Sequence, residues 1–183
     1  MIYPLSLELA LVLTGLFLIA IHAIALVLPQ ATQTWLKALP RSKSMGWVLF
    51  TIVAVWAELL VWKIDLGEFT PWRPRVLIFI PIAYALTVMY VEEFLAARAL
   101  GMLALLVAEP LLEAAFLRPE ASRLLLVSLV YVWVLFGLFW IGMPYTLRDQ
   151  IAWVTRSMGR WRLAVMAGVA YGALLLGVRA TLH

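Results

Sequence analysis

Long apolar segments separated by short polar connections dominate the chain. Six of them have close to the 20 mostly apolar residues that a helix needs to cross the hydrocarbon core of a bilayer. The six segments are 6–28, 46–64, 75–91, 99–117, 124–143 and 163–179. The stretches 9–36 and 124–147 contain no Asp, Glu, Lys or Arg, so the first and fifth segments give the clearest signal. The pattern predicts an all-α integral membrane protein in which residues 1–183 form one bundle of transmembrane helices.

The number of helices in this bundle is six, with five as the alternative. The third and sixth segments are short for a span. The stretch 92–98 (EEFLAAR) fits either a polar turn or the end of one long tilted helix. Seven of the nine tryptophans lie near segment ends or in connections, as an aromatic belt requires. Trp56 and Trp133 lie in the middle of segments, and we expect them to be packing residues.

Two connections resemble each other. One follows the first segment after Pro29 and the other follows the fifth segment after Pro144. Each contains a tryptophan, basic residues and a Ser-Met-Gly triplet just before the next apolar segment. The resemblance fits a partial duplication of the chain, and it fits coincidence between two basic interfacial loops. Both explanations stay open.

The second of these connections has helical periodicity. Its apolar residues are spaced along one helix face, at Leu147, Ile151, Val154 and Met158. Thr146 and Asp149 have the spacing of a capping box. The two connections therefore predict two short amphipathic helices in the headgroup plane, with Arg148 and Arg156 turned toward water.

Composition excludes most soluble classes of protein. Hydrophobic residues make up 66% of the chain, charged residues 13%, and the mean hydropathy is +1.02. A soluble domain is about half apolar and a quarter charged. This composition therefore disfavours a soluble enzyme, a nucleic-acid-binding module and a disordered tail. The chain has no cysteine, which removes thiolate metal sites, Fe–S clusters and disulfides.

The formal net charge is +4, and the basic residues lie in connections beside apolar segments. Anionic lipid headgroups are the partners that attract such residues, so we expect lipid rather than nucleic acid. The expected headgroup contacts are Lys37, Arg41, Arg148 and Arg156. With the N-terminus outside, the inner connections hold eight basic residues and the outer side six. This bias favours that orientation in a bacterial inner membrane.

Carboxylates inside the apolar segments are the first candidates for chemistry, because charges within a membrane are costly. Glu109 and Glu113 are four residues apart and share a helix face. Pro110 between them cannot donate a hydrogen bond to the Leu106 carbonyl, which leaves a free acceptor nearby. Together with Glu58 they predict a proton or cation site in the outer half. The alternative is that these acids are neutral, reach the interface or bond to a neighbouring helix.

His22 is the only histidine within an apolar segment, since His183 is the last residue. One histidine cannot supply both axial ligands of a b-type haem, and no zinc site is available. We expect His22 to form a hydrogen bond to a neighbouring helix. Axial ligation of a chlorophyll-type pigment is the alternative, and apart from bound lipid no cofactor or metal is predicted.

The sixth segment has a stripe of small residues. Ala164, Gly168 and Gly172 repeat every four residues, which allows another helix to approach closely. Gly137 and Gly142 do not continue this pattern. The sequence does not tell whether the partner helix belongs to this chain.

No Walker A, G-x-G-x-x-G, H-E-x-x-H or G-x-S-x-G motif occurs in the chain. We therefore expect a non-catalytic accessory subunit of a larger inner-membrane complex that packs against other transmembrane subunits and lipid. The alternative is a small transporter or ion-conducting protein that takes up a proton or cation at Glu58, Glu109 and Glu113 and releases it after a helix rearrangement.

Overall fold

The computed structural model describes residues 3–91 and 93–179, and every regular element in these ranges is helical. The α-helices are α1 (Leu7–Val27), α2 (Pro29–Ala38), α3 (Lys43–Lys63), α4 (Arg73–Tyr90), α5 (Leu95–Ala115), α6 (Arg123–Gly142), α7 (Tyr145–Val154) and α8 (Met158–Arg179). Short 3-10 turns at Leu39–Arg41 and Gly67–Trp72 precede α3 and α4. All but α2 and α7 are long and apolar enough to cross a membrane. The helical class and the count of six, rather than five, are confirmed.

The third and sixth candidate spans are longer than the sequence suggested. The 3-10 turn Gly67–Trp72 runs into α4, which gives a continuous helical segment of 24 residues. The last helix begins at Met158 rather than at 163 and has 22 residues. A hydropathy pattern places the boundary of a segment at charged residues such as Arg160 and Arg162. The backbone hydrogen bonds of the helix nevertheless continue through these residues. Neither span needs a thinned bilayer.

The two predicted short helices are present as α2 and α7, each of ten residues. Two details of the prediction are wrong. Helix α7 ends at Val154, so Met158 begins α8 instead of extending the apolar face. Thr146 does not form a capping box, because the helix has already begun at Tyr145 and the Thr146 hydroxyl donates to the Met143 carbonyl at 2.7 Å.

The two similar connections share their architecture but not their register. In the first, the Ser42 hydroxyl caps α3 by accepting from the Met45 amide at 3.3 Å. In the second, the Ser157 hydroxyl accepts from the Arg160 amide at 3.3 Å, at the start of α8. Aligning the Ser-Met-Gly triplets would instead pair Ser157 with Ser44, which lies inside α3. Partial duplication stays a prediction.

The bundle is built on two antiparallel helix pairs. Helix α1 packs along α8, and α5 packs along α6, while the other side of α5 contacts α3. Each pair has a reciprocal contact between glycines. A β-carbon on Gly101 would lie 2.6 Å from the Gly137 carbonyl oxygen, and one on Gly137 would lie 2.9 Å from the Gly101 oxygen. The backbones can therefore touch, with each Cα facing a carbonyl oxygen.

The second pair repeats this arrangement with Gly15 of α1 and Gly172 of α8. A β-carbon on Gly15 would lie 2.9 Å from the Gly172 oxygen, and one on Gly172 would lie 2.8 Å from the Gly15 oxygen. The small-residue stripe of the last helix therefore has a partner within this chain. Gly137 does not continue that stripe, but it forms the equivalent contact in the other pair.

The buried core has its largest cluster where α1, α5, α6 and α8 meet. Leu11, Leu126 and Leu175 are fully buried there. Trp133 packs against this cluster and lies edge-on to Phe17 with ring centroids 6.4 Å apart, as expected of a packing residue. Helix α4 lies at the edge of the bundle against α3, and none of its residues is buried.

The two ends of the bundle differ in charge. Helices α2 and α7, the start of α3, the start of α5 and the start of α8 share one end, which we call the α2–α7 end. Among the described residues, this end carries eight basic and two acidic side chains. The opposite end carries six basic and seven acidic side chains. Most of the difference in charge between the two ends therefore comes from the acidic residues, and the basic residues differ only by eight to six.

Candidate functional site

The carboxylate of Glu113, near the opposite end of α5, has a structural partner. Its Oε2 accepts a hydrogen bond from the Tyr3 amide at 3.3 Å. The Tyr3 hydroxyl in turn accepts from Trp56 Nε1 of α3 at 2.7 Å. Tyr3 therefore links α5, through Glu113, to α3, through Trp56. Trp56, expected to be a packing residue, also donates a hydrogen bond.

Glu109 lies one helical turn away from Glu113 on the same face of α5. Its Oε2 is buried and has no hydrogen-bond partner among the described residues. An unpaired buried polar atom costs about 1–3 kcal/mol, and a carboxylate avoids this cost by taking up a proton or a cation. Of the three predicted site carboxylates, Glu109 is therefore the one best suited to bind a proton.

Glu58 lies on α3 rather than on the helix that carries this pair. Within the described residues, these three carboxylates do not form a group placed to hold a metal ion. A shared proton site at Glu58, Glu109 and Glu113 stays a prediction. A separate carboxylate, Glu8 near the start of α1, forms an ion pair with Arg179 of α8. Its Nε donates to Glu8 Oε1 at 2.8 Å, which links the ends of α1 and α8.

His22 lies between α1 and α8 and is part-buried. Its Nδ1 is 2.7 Å from the Leu18 carbonyl oxygen. A carbonyl can only accept, so Nδ1 carries the proton and donates. A β-carbon on Gly168 would overlap the ring, with Nε2 as the nearest atom. The hydrogen bond of His22 is thus within α1 rather than to a neighbouring helix. The contact between Nε2 and α8 argues against coordination of a pigment metal by Nε2.

The three small residues of the last helix have different surroundings. Gly172 contacts Gly15, and Gly168 makes room for the His22 ring. Ala164 is exposed and lines a groove rather than a helix contact. The spacing alone therefore identified the face of α8 that meets α1, but not the separate partner of each residue.

An apolar groove of about 760 Å³ lies between α1, α2 and α8 at the α2–α7 end. Along α1 it extends from Phe17 to Leu28, and Leu36 and Leu39 border it from α2 and the following turn. His22 is its one ionisable lining residue, and Nδ1 of that ring is already bonded to the backbone. The groove therefore offers little for polar recognition.

A basic cleft of about 210 Å³ lies beside it, between α2 and α7. Lys37, Pro40 and Arg41 line it from one connection, and Arg148, Ile151 and Ala152 line it from the other. The structure thus brings together Lys37, Arg41 and Arg148, three of the four predicted headgroup contacts. Arg156 is exposed beyond the end of α7 and does not line the cleft. The contact between α2 and α7 creates this cleft, and no local sequence pattern predicts that contact.

Comparisons of the chain with protein-family models, with curated proteins and with solved structures find no match. Within the described residues, no group of three His, Asp or Glu side chains is placed to hold a metal ion. Function is therefore inferred from the geometry of this chain.

Proposed function

We propose that this is a multi-pass integral membrane protein that acts as a non-catalytic accessory subunit of a larger inner-membrane complex. It packs against other transmembrane subunits and against lipid. The observation that carries the proposal is the position of α4, which rests on α3 and has no buried residue. A helix attached to its own bundle on one side only is well placed to meet a neighbouring subunit.

The outward face of α4 supports lateral packing. Phe79, Ile82, Leu86 and Met89 follow each other at intervals of three, four and three residues and are 51–67% exposed. This spacing is that of the apolar seam between packed helices. Lipid would also cover such a face, so the composition of the purified complex is the decisive measurement.

The orientation with the N-terminus outside is supported by the small excess of basic residues at the α2–α7 end. This end has eight described basic residues against six at the opposite end, and it would face the cytoplasm. This placement puts the basic cleft at the inner leaflet, where anionic lipids attract it.

Purification of the tagged protein from its native membrane in a mild detergent, followed by native mass spectrometry, should recover stoichiometric partner subunits. Phe79→Ala with Leu86→Ala should lower partner recovery, because both side chains belong to the proposed contact. Val48→Ala with Val55→Ala on the exposed face of α3 is the matched control and should leave recovery unchanged. Recovery of the wild-type protein only as a monomer or homo-oligomer would contradict the accessory role.

A small proton or cation transporter is the second candidate. The buried, unpaired Oε2 of Glu109 beside Glu113 favours it, since such a carboxylate can take up a proton or a hard cation. Against it, His22 is the one histidine or carboxylate within the described spans of the α2–α7 half that could act as a proton relay, and its Nδ1 is bonded to the backbone.

Flux measurements in proteoliposomes discriminate the two functions. For an accessory subunit, proton and cation flux through wild-type vesicles should equal that of protein-free vesicles. Glu109→Gln with Glu113→Gln should then change nothing. Glu68→Gln, an exposed carboxylate in the Gly67–Trp72 turn, is the control. A wild-type flux that the double variant abolishes and the control retains, with assembly intact, would make transport the function.

A further inference from the structure

The basic cleft has the composition of a phosphate-binding site. Its three cations come from two separate segments of the chain, which converge on a space of about 210 Å³. Arg148 Nε and one of its terminal nitrogens donate to Asp149 Oδ1 at 2.9 and 2.8 Å. A guanidinium has five N–H donors, so Arg148 keeps donors for a further anion. Lys37 and Arg41 are exposed and make no ion pair among the described residues.

The groove matches an acyl chain in polarity and length. Its extent along α1, from Phe17 to Leu28, corresponds to about 16 Å at 1.5 Å per residue. One leaflet accounts for about 15 Å of the hydrocarbon core. The groove therefore runs from the interface at the α2–α7 end to near the middle of the membrane, the depth that the acyl chains of that leaflet occupy.

The cleft and the groove are neighbours. Leu36 and Leu39 line the groove, while Lys37 and Pro40, the residues that follow them, line the cleft. At the end of α7, Ala152 borders the cleft and Val154 borders the groove. Helix α2 is about 10 Å wide, so a single amphiphile can reach both spaces.

We infer that the α2–α7 end binds one anionic phospholipid, with its phosphate in the cleft of Lys37, Arg41 and Arg148 and an acyl chain in the groove between α1, α2 and α8. The inference rests on the membrane placement proposed above, not on the accessory role. The net positive charge of this end selects the anionic headgroup. The apolar lining around His22, whose Nδ1 already donates to the backbone, selects an acyl chain over a polar ring.

The test is the affinity of the purified full-length protein for phosphatidylglycerol, measured by native mass spectrometry in a neutral detergent. One molecule should bind, and phosphatidylcholine should bind less tightly. Arg41→Ala with Arg148→Ala should weaken phosphatidylglycerol binding by roughly tenfold or more, since one charge-assisted hydrogen bond contributes about that much. Arg160→Ala with Arg162→Ala removes the same charge from positions at the same end that line neither the cleft nor the groove, and it should change affinity less than about twofold.

The acyl-chain contact needs its own variant. Ala164→Phe fills the groove and should weaken phosphatidylglycerol binding, while Ala167→Phe, exposed on α8 away from the groove, should not. Inorganic phosphate binding as tightly as the lipid, together with no effect of Ala164→Phe, would assign the cleft to a soluble anion and overturn the inference. Equal losses of phosphatidylglycerol affinity in the two double-arginine variants would also overturn the inference. Recovery of partner subunits is a separate readout, so either proposal can fail alone.

Discussion

Gly101→Ala should lower the free energy of unfolding by about 1–3 kcal/mol, the usual cost of overpacking a tight contact. The new β-carbon would lie 2.6 Å from the Gly137 carbonyl oxygen and 3.0 Å from a side-chain carbon of Ile141. A backbone oxygen cannot turn aside as a side chain can, so α5 and α6 would have to separate. Because α5 contacts α1, α3 and α6, the separation would also disturb the largest core cluster.

SDS-induced unfolding in mixed micelles, followed by circular dichroism, measures this loss. Gly142→Ala on α6 is the matched control, because a β-carbon there meets nothing within 4 Å. It should be neutral or should stabilise the helix by up to about 1 kcal/mol, the difference in helix propensity between glycine and alanine. Equal effects of the two substitutions would show that the close approach of α5 and α6 is not a stabilising feature of the bundle.

Hydropathy could predict the helices because each apolar segment carries its own signal. It could not predict how they pair. Gly101 meets Gly137 from another helix, and a single glycine in a span does not indicate its partner. One local signal does exist in the sequence of α5: Ala97 and Gly101 are four residues apart, and both are buried in the structure. This small-residue spacing on α5 is the same pattern that identified the α1-facing side of α8.

The candidate sites were also predictable from the sequence only in part. The shared face of Glu109 and Glu113 follows from helical periodicity, but the Tyr3 partner of Glu113 is 110 residues away in sequence. The sequence predicted Lys37, Arg41 and Arg148 as headgroup contacts one by one. They line one cleft only because α2 contacts α7. Local periodicity cannot predict contacts between segments that are distant in sequence.

The second large effect is expected at the contact between His22 and Gly168. Gly168→Ala would place a β-carbon within the volume of the imidazole ring. The ring is held by the 2.7 Å bond from Nδ1 to the Leu18 oxygen, so it must break this bond or push α8 away. We expect a loss of about 1–3 kcal/mol in the free energy of unfolding, as for other overpacked contacts.

A double-mutant cycle separates this steric coupling from a general requirement for glycine. In a His22→Ala background the ring is absent, so Gly168→Ala should cost less than about 0.5 kcal/mol, which leaves a coupling energy of about 1–2 kcal/mol. Gly177→Ala on the same helix has nothing within 4 Å and should be neutral in both backgrounds. If Gly168→Ala were harmless and His22→Ala removed a visible absorption band from the purified protein, His22 would be a pigment ligand. Loss of stability with no such band makes it a packing residue of the α1–α8 pair.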